Sequence, residues 1–150
     1  MSANTMAKFL HYFQCFEAAL ETGNWDAVGD TLTEDARYSV QGVPFACEIK
    51  GKTAILQAFK KSTASFDATM NFRLLEILSM ARLGPNRVRA DLISGYGREE
   101  IGSATVPVSI EIEAREDGIV ELTDIYDPEL TAPALTWIAM NLGDADPSYQ

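Results

Sequence analysis

FRLLEILSM (72–80), RVRADLI (87–93), ATVPVSIEIEA (104–114) and IVELTDIY (119–126) are four largely apolar runs parted by short polar breaks, and their reading decides the fold. Alternation with a period of two predicts four strands, each presenting one face to a core. Gly84-Pro85-Asn86 and Glu116-Asp117-Gly118 carry hairpin chemistry between them, Asp117-Gly118 being the stronger signal. Pro107 lacks an N–H to donate, so the third run is expected to be an edge or to bulge there.

Upstream the period changes. Phe9, Phe13, Phe16 and Leu20 recur at helical spacing, with Tyr12 and Ala19 beside them, and predict a helix from about Thr5 to Glu21. Gly23 closes it, and Asn24 is placed to cap a short second helix that turns Trp25, Val28 and Leu32 inward. Residues Ala36 to Gly42 alternate as a strand, with Ala36, Tyr38 and Val40 on one face. Thr53 to Thr63 predicts a third helix through Ile55, Leu56 and Phe59. After the four strands, Pro128 and Pro133 bracket the exit into a short helix with Leu135, Trp137, Ile138 and Met140. Helices segregated from a largely antiparallel sheet make a single α+β domain over residues 1–150. Strong curvature of that sheet, with helices over its concave side, leaves a cavity.

Composition narrows the function. At 150 residues, 47% of them hydrophobic, the chain buries a full core without disulfide or metal. Twelve Lys and Arg against 22 Asp and Glu leave a charge of −10, and the densest basic group is only Arg82, Arg87 and Arg89. Nucleic acid and anionic membranes are therefore not expected partners. Met1 to Lys8 has no basic flank and apolar run, and no stretch nears the ~20 apolar residues of a membrane span. With only Cys15 and Cys47, these features predict a cytoplasmic protein with reduced thiols, although one disulfide is compatible with the count.

His11 is the only histidine and lies opposite the aromatic stripe, so it reads as solvated surface. A Ser-His-Asp or Cys-His centre would depend on this one poorly placed residue, and there is no Cys/His cluster for zinc and no phosphate loop; no cofactor or metal is expected. Carboxylates and tyrosines remain. Asp124 falls in phase with Val120, Leu122 and Tyr126, and an acid on an apolar face is either paired or functional. Its neighbour Asp127, before Pro128, reads as a turn or cap residue. Arg89 and Asp91, two apart on one strand, share a face. They converge on a site with Asp124 if that face is inner, and form a solvated ion pair if it is outer, because Val88, Ala90 and Leu92 are the more apolar set. Tyr38 is a core residue or a hydroxyl aimed into the pocket. Val106, Val108, Ile110 and Ile112 are an apolar row that suits a dimer face or the core.

Several short motifs resemble the nuclear-transport-factor-2-like superfamily, which includes SnoaL-type polyketide cyclases, ketosteroid isomerases and limonene-epoxide hydrolases. They are the aromatic opening helix followed by Gly23-Asn24-Trp25-Asp26, then Glu34-Asp35-Ala36, then Gly51-Lys52-Thr53-Ala54-Ile55, and the ending Asp117-Gly118-Ile119 to Tyr126-Asp127-Pro128. The resemblance covers nearly the whole chain. It implies a cone-shaped (cystatin-like) curved sheet with three N-terminal helices over a pocket for a small hydrophobic molecule, and a homodimer paired through the sheet's outer face. Arg89-Ala90-Asp91 and Asp124 resemble the Arg-x-Asp and later Asp of the epoxide hydrolases, which implies Asp124 as base on water, Asp91 as acid, Arg89 as bridge and Tyr38 as water holder. The water-binding Asn of those enzymes is Val40 here, and the ketosteroid-isomerase base also falls near Val40. A single pocket acid such as Asp124 fits a cyclase or isomerase. A non-catalytic binding or dimerisation domain is the third expectation.

Overall fold

The computed structural model describes residues 2–143 and 145–149. Helix α1 (Ser2–Thr22) buries Phe9, Tyr12 and Ala19 and ends where Gly23, at φ 75°, returns its N–H to the Ala19 carbonyl at 2.8 Å. Helix α2 (Trp25–Gly29) follows directly. Asn24 does not cap it with its side chain, a departure from expectation; its own N–H is held instead by Thr22 Oγ1 at 3.1 Å. Strand β1 (Leu32–Gln41) alternates as expected, with Ala36, Tyr38 and Val40 buried.

Strand β2 (Cys47–Lys50) was not anticipated, because four residues alternating Cys47/Ile49 with Glu48/Lys50 are too short to carry a period. Helix α3 (Lys52–Ser65) and a 3₁₀ turn (Asp67–Thr69) lead into β3 (Phe72–Gly84), β4 (Arg87–Arg98), β5 (Gly102–Arg115) and β6 (Gly118–Ile125). Helix α4 (Pro128–Asn141) is longer than the short helix expected. Pro128 opens it where no N–H is needed, and Asp127 Oδ1 accepts from the N–H groups of Glu129 and Leu130 at 2.9 and 3.3 Å.

One six-stranded sheet has the order β2-β1-β6-β5-β4-β3. Every pairing is antiparallel except β1 with β6. The aromatic face of α1, with Val28 and with Ile55 and Phe59 of α3, packs on the inner face of the sheet. Val106, Val108 and Ile112 are buried there too, so the apolar row of β5 is core and not a dimer face. Pro107 pairs with Ile93 of β4, while β6 reaches β5 only as far as Ser109. At Pro107 β5 is thus locally an edge, and the missing N–H costs no ladder bond to β6.

Gly42 turns the chain out of β1 at φ 86°, against the end of β6. A Cβ there would lie 1.8 Å from the Tyr126 carbonyl oxygen, and the Tyr126 N–H donates to the Gln41 carbonyl at 3.0 Å. This crossing locks the parallel β1–β6 register. Gly42→Ala is expected to lower stability by ~2 kcal/mol or more, measured by urea unfolding, since both the positive φ and the backbone clash oppose a side chain. Unchanged unfolding would remove this crossing from the list of constraints.

Candidate functional site: an acid among tyrosines

Parallel pairing aligns Val40 with Asp124 and Tyr38 with Leu122. Tyr38 therefore sits one pleat before Asp124 on the same inner face, within reach of its carboxylate. The Tyr38 hydroxyl donates to Asp124 Oδ2 at 2.5 Å. The Tyr38 side chain is 1% exposed and packs edge-on against Phe59, ring centroids 5.0 Å apart. Asp124 lines a cavity shared with Tyr12, Phe16, Tyr126 and Tyr149. Burial pushes its carboxyl up to about 6, and the Tyr38 hydrogen bond opposes that rise without cancelling it.

The surrounding phenols are held protonated. Burial raises Tyr38, Tyr12 and Tyr126 well above the usual phenol range, and the Asp124 charge raises each further. Tyr96 is pushed up to about 12 by burial and by Asp67. At neutral pH the cavity thus offers, at Asp124, an acid raised toward neutrality and several fixed O–H donors.

A second polar station borders the same cavity and was not expected. Arg73 of β3 pairs across the ladder with Tyr96 of β4, which aims both inward. Its Nη1 donates to Glu17 Oε1 and Oε2 at 2.7 and 2.9 Å, and its Nε to Asp67 Oδ2 at 2.8 Å. The Arg73 and Asp67 side chains are only 19% and 15% exposed. Burial raises the Asp67 carboxyl despite the Arg73 charge, which lowers it. A signal existed: Glu17 is four residues after Phe13 and three before Leu20, on the helix stripe, and Arg73 is in phase with Leu75 and Ile77.

Arg89 and Asp91 do not join this site. Val88, Ala90 and Leu92 take the inner face of β4, so pleat parity sends Arg89 and Asp91 to the outer face with 39% and 48% of their side chains exposed. There Arg89 donates to Asp91 Oδ1 at 3.2 Å, Glu111 Oε2 at 3.0 Å and Ser109 Oγ at 2.9 Å, and Ser109 donates to Asp91 at 2.6 Å. The expected meeting of Arg89 and Asp91 with Asp124 is not formed; the solvated ion pair is. His11 is exposed, and Cys15 and Cys47 are free thiols. Among the described residues no cluster of three His, Cys, Asp or Glu is placed to hold a metal ion, and no helix is long and apolar enough to cross a membrane.

The chain matches no protein-family model and no curated protein. Its structure is similar to many solved ones. A nuclear-transport-factor-2-like protein from Anabaena variabilis is 22% identical, with a TM-score of 0.63 over 83% of this chain and 90% of that one. A limonene-epoxide-hydrolase-like epoxide hydrolase of M. tuberculosis is 15% identical, with a TM-score of 0.65 over 91% and 96%. A protein from Xanthomonas campestris described as a polyketide cyclase is 18% identical, with a TM-score of 0.57 over 90% and 97%. At these identities the likeness speaks for architecture alone.

Asp124 also sets a pH dependence of stability. Its folded value near 6 lies above the ordinary 3.8, so the folded state binds the proton more tightly than the unfolded chain. Stability is then lost as pH rises from about 4 to 6 and stays lower above that. Asp124→Asn is expected to stabilise the protein by on the order of 2–3 kcal/mol at pH 7.5 and by almost nothing at pH 3.5, read from urea unfolding at both pH values. Equal effects at both would mean that the carboxylate carries no burial penalty. By topology, helix placement and neighbours together, the chain has the nuclear-transport-factor-2-like fold.

Proposed function

We propose that the protein is a cofactor-independent acid/base enzyme acting on a small, mostly apolar molecule, with Asp124 as its single general base. One observation carries this reading: an acid near pH 6 sits on the wall of an aromatic cavity with Tyr38 as its only hydrogen-bonding side chain among the described residues. A base tuned toward neutrality in an aromatic cavity suits proton abstraction from carbon next to a carbonyl. Asp124 takes the proton, the electron pair passes into an enolate, and the proton returns to a second carbon for isomerisation; in cyclisation the enolate carbon attacks a second carbonyl, whose π pair moves onto its oxygen and takes the proton back from Asp124. Tyr38 orients the carboxylate. Neutral phenols such as Tyr12 offer O–H donors to the developing enolate oxygen. This is chemistry of the isomerase and cyclase kind, in keeping with a fold neighbour described as a polyketide cyclase.

Epoxide hydrolysis is the weaker form. It needs a second acid to protonate the departing oxygen, and Asp91 stands on the outer face beside Arg89. It also needs a polar group to share the attacking water, whereas Val40, aligned with Asp124, is apolar and 2% exposed. The hydrolase neighbour lends this form its fold and nothing more. A purely binding role uses the same pocket without Asp124 chemistry.

The test is deuterium uptake at the α-carbons of a panel of cyclic and polycyclic ketones, alongside hydrolysis of cyclic epoxides, both followed by NMR. Wild type is expected to exchange at least one ketone, with a rate rising to a plateau through pH about 6 as Asp124 ionises. Asp124→Asn should cost roughly 10²-fold or more, and Asp91→Asn should leave the rate within about twofold. Turnover of epoxides that is lost in Asp91→Asn would restore the hydrolase. No turnover of either class would leave a binding domain.

A further inference from the structure

Segment 145–149 folds back along α3 and delivers Tyr149 into the middle of the cavity. The Tyr149 ring meets Tyr38 edge-on with centroids 5.3 Å apart, and lies 6.3 and 6.5 Å from Phe59 and Phe45. It lines two voids at once. One, beside Asp124, is about 70 Å³; the other, toward Trp137 and Ile138 of α4, is about 50 Å³. Tyr96 and Tyr126 line both as well, so the two voids are neighbours that share these three tyrosines as walls. Each is far below the roughly 300 Å³ at which small-molecule pockets begin. A ring-sized ligand has no room beside Asp124 while Tyr149 is in place.

The anchors of this segment are polar; Asp146 is exposed, Lys61, Ser65 and Ser148 are half-buried, and Ser62 is buried. The Asp146 N–H donates to the Ser65 carbonyl at 2.9 Å and Ser65 Oγ to the Asp146 carbonyl at 2.8 Å. Lys61 pairs with Asp146 at 3.0 Å and donates to the Ser148 carbonyl at 3.0 Å, and Ser62 Oγ reaches the Pro147 carbonyl at 3.3 Å. The Lys61–Asp146 ion pair, 37% and 55% exposed, holds little free energy, and water can replace the segment's polar bonds on release. What the segment contributes inside is the neutral Tyr149 ring with its one hydroxyl, and Pro147 at the wall of the smaller void. A ligand of that shape can replace the lost ring contacts, which lets it compete with Tyr149 for the same walls.

We propose that the two voids are halves of one ligand chamber and that Tyr149 is a built-in stand-in for the ligand, displaced when a neutral ring system bearing a hydroxyl or enol oxygen binds beside Asp124. Segment 145–149 is then a strap that shuts the chamber until such a ligand arrives. The inference shares the cavity with the catalytic reading but does not require turnover.

2-Naphthol, a neutral fluorescent ring with one hydroxyl, tests it by titration against the full chain. Tyr149→Ala should bind at least tenfold more tightly than wild type, because no competing ring must leave. Lys61→Ala, which loosens the strap outside the cavity, should fall between the two. Naphthalene should bind Tyr149→Ala more weakly than 2-naphthol. Amide exchange provides the readout in unaltered protein: saturating 2-naphthol should speed exchange at the Asp146 N–H tenfold or more. Affinity unchanged or lowered in Tyr149→Ala, or a strap that stays protected at saturation, overturns the proposal. Should Asp124→Asn leave ketone exchange untouched while the strap still opens around 2-naphthol, the catalytic reading falls and the chamber stands.

Discussion

Strand β1 enters the sheet parallel to β6, although the rest of the sheet is antiparallel, and the site depends on that pairing. It brings a strand from near the start of the chain beside one more than 80 residues later and sets their pleats in phase. Tyr38 and Asp124 then stand one pleat apart on the concave face, where the hydroxyl can hold the carboxylate. A register slip of one residue would turn Tyr38 outward and leave Asp124 without its donor. Gly42 and the Tyr126 N–H guard against that slip from the open end of the pair.

A buried acid is a cost to folding, and the fold accepts it in a particular way. Burial lifts Asp124 toward neutrality, and a single phenol donor leaves it able to exchange a proton near physiological pH. Across the same cavity the opposite solution holds Arg73, whose charge is shared by Glu17 and Asp67 in close, half-dry ion pairs. One pole of the cavity is a lone acid raised by burial, and the other is an ion-paired cluster. Between them lie aromatic walls, against which the protein's own Tyr149 packs.

Outer and inner faces of the same strands tell apart two kinds of charge. Arg89, Asp91, Ser109 and Glu111 form a network with water at its edge, typical of a solvated sheet surface. Their spacing matches a catalytic pattern, yet spacing along one strand says only that two side chains share a face. Which face that is follows from where the apolar partners go, and Val88, Ala90 and Leu92 take the inside.

Periodicity in the sequence was enough for the three early helices, the four-strand meander, the turn at Asp117-Gly118 and the inward phase of Tyr38 and Asp124, because each is a local pattern written in neighbouring residues. Asp127 as a cap was legible for the same reason. Strand β2 was not, being too short to show a period. Tertiary structure alone decided that Arg89 and Asp91 face water, that Arg73 meets Glu17 and Asp67, and that Tyr149 fills the cavity. These are contacts between distant segments, and their outcome turns on sheet curvature, strand parity and the path of residues 145–149. None of those is encoded in the spacing of any one stretch.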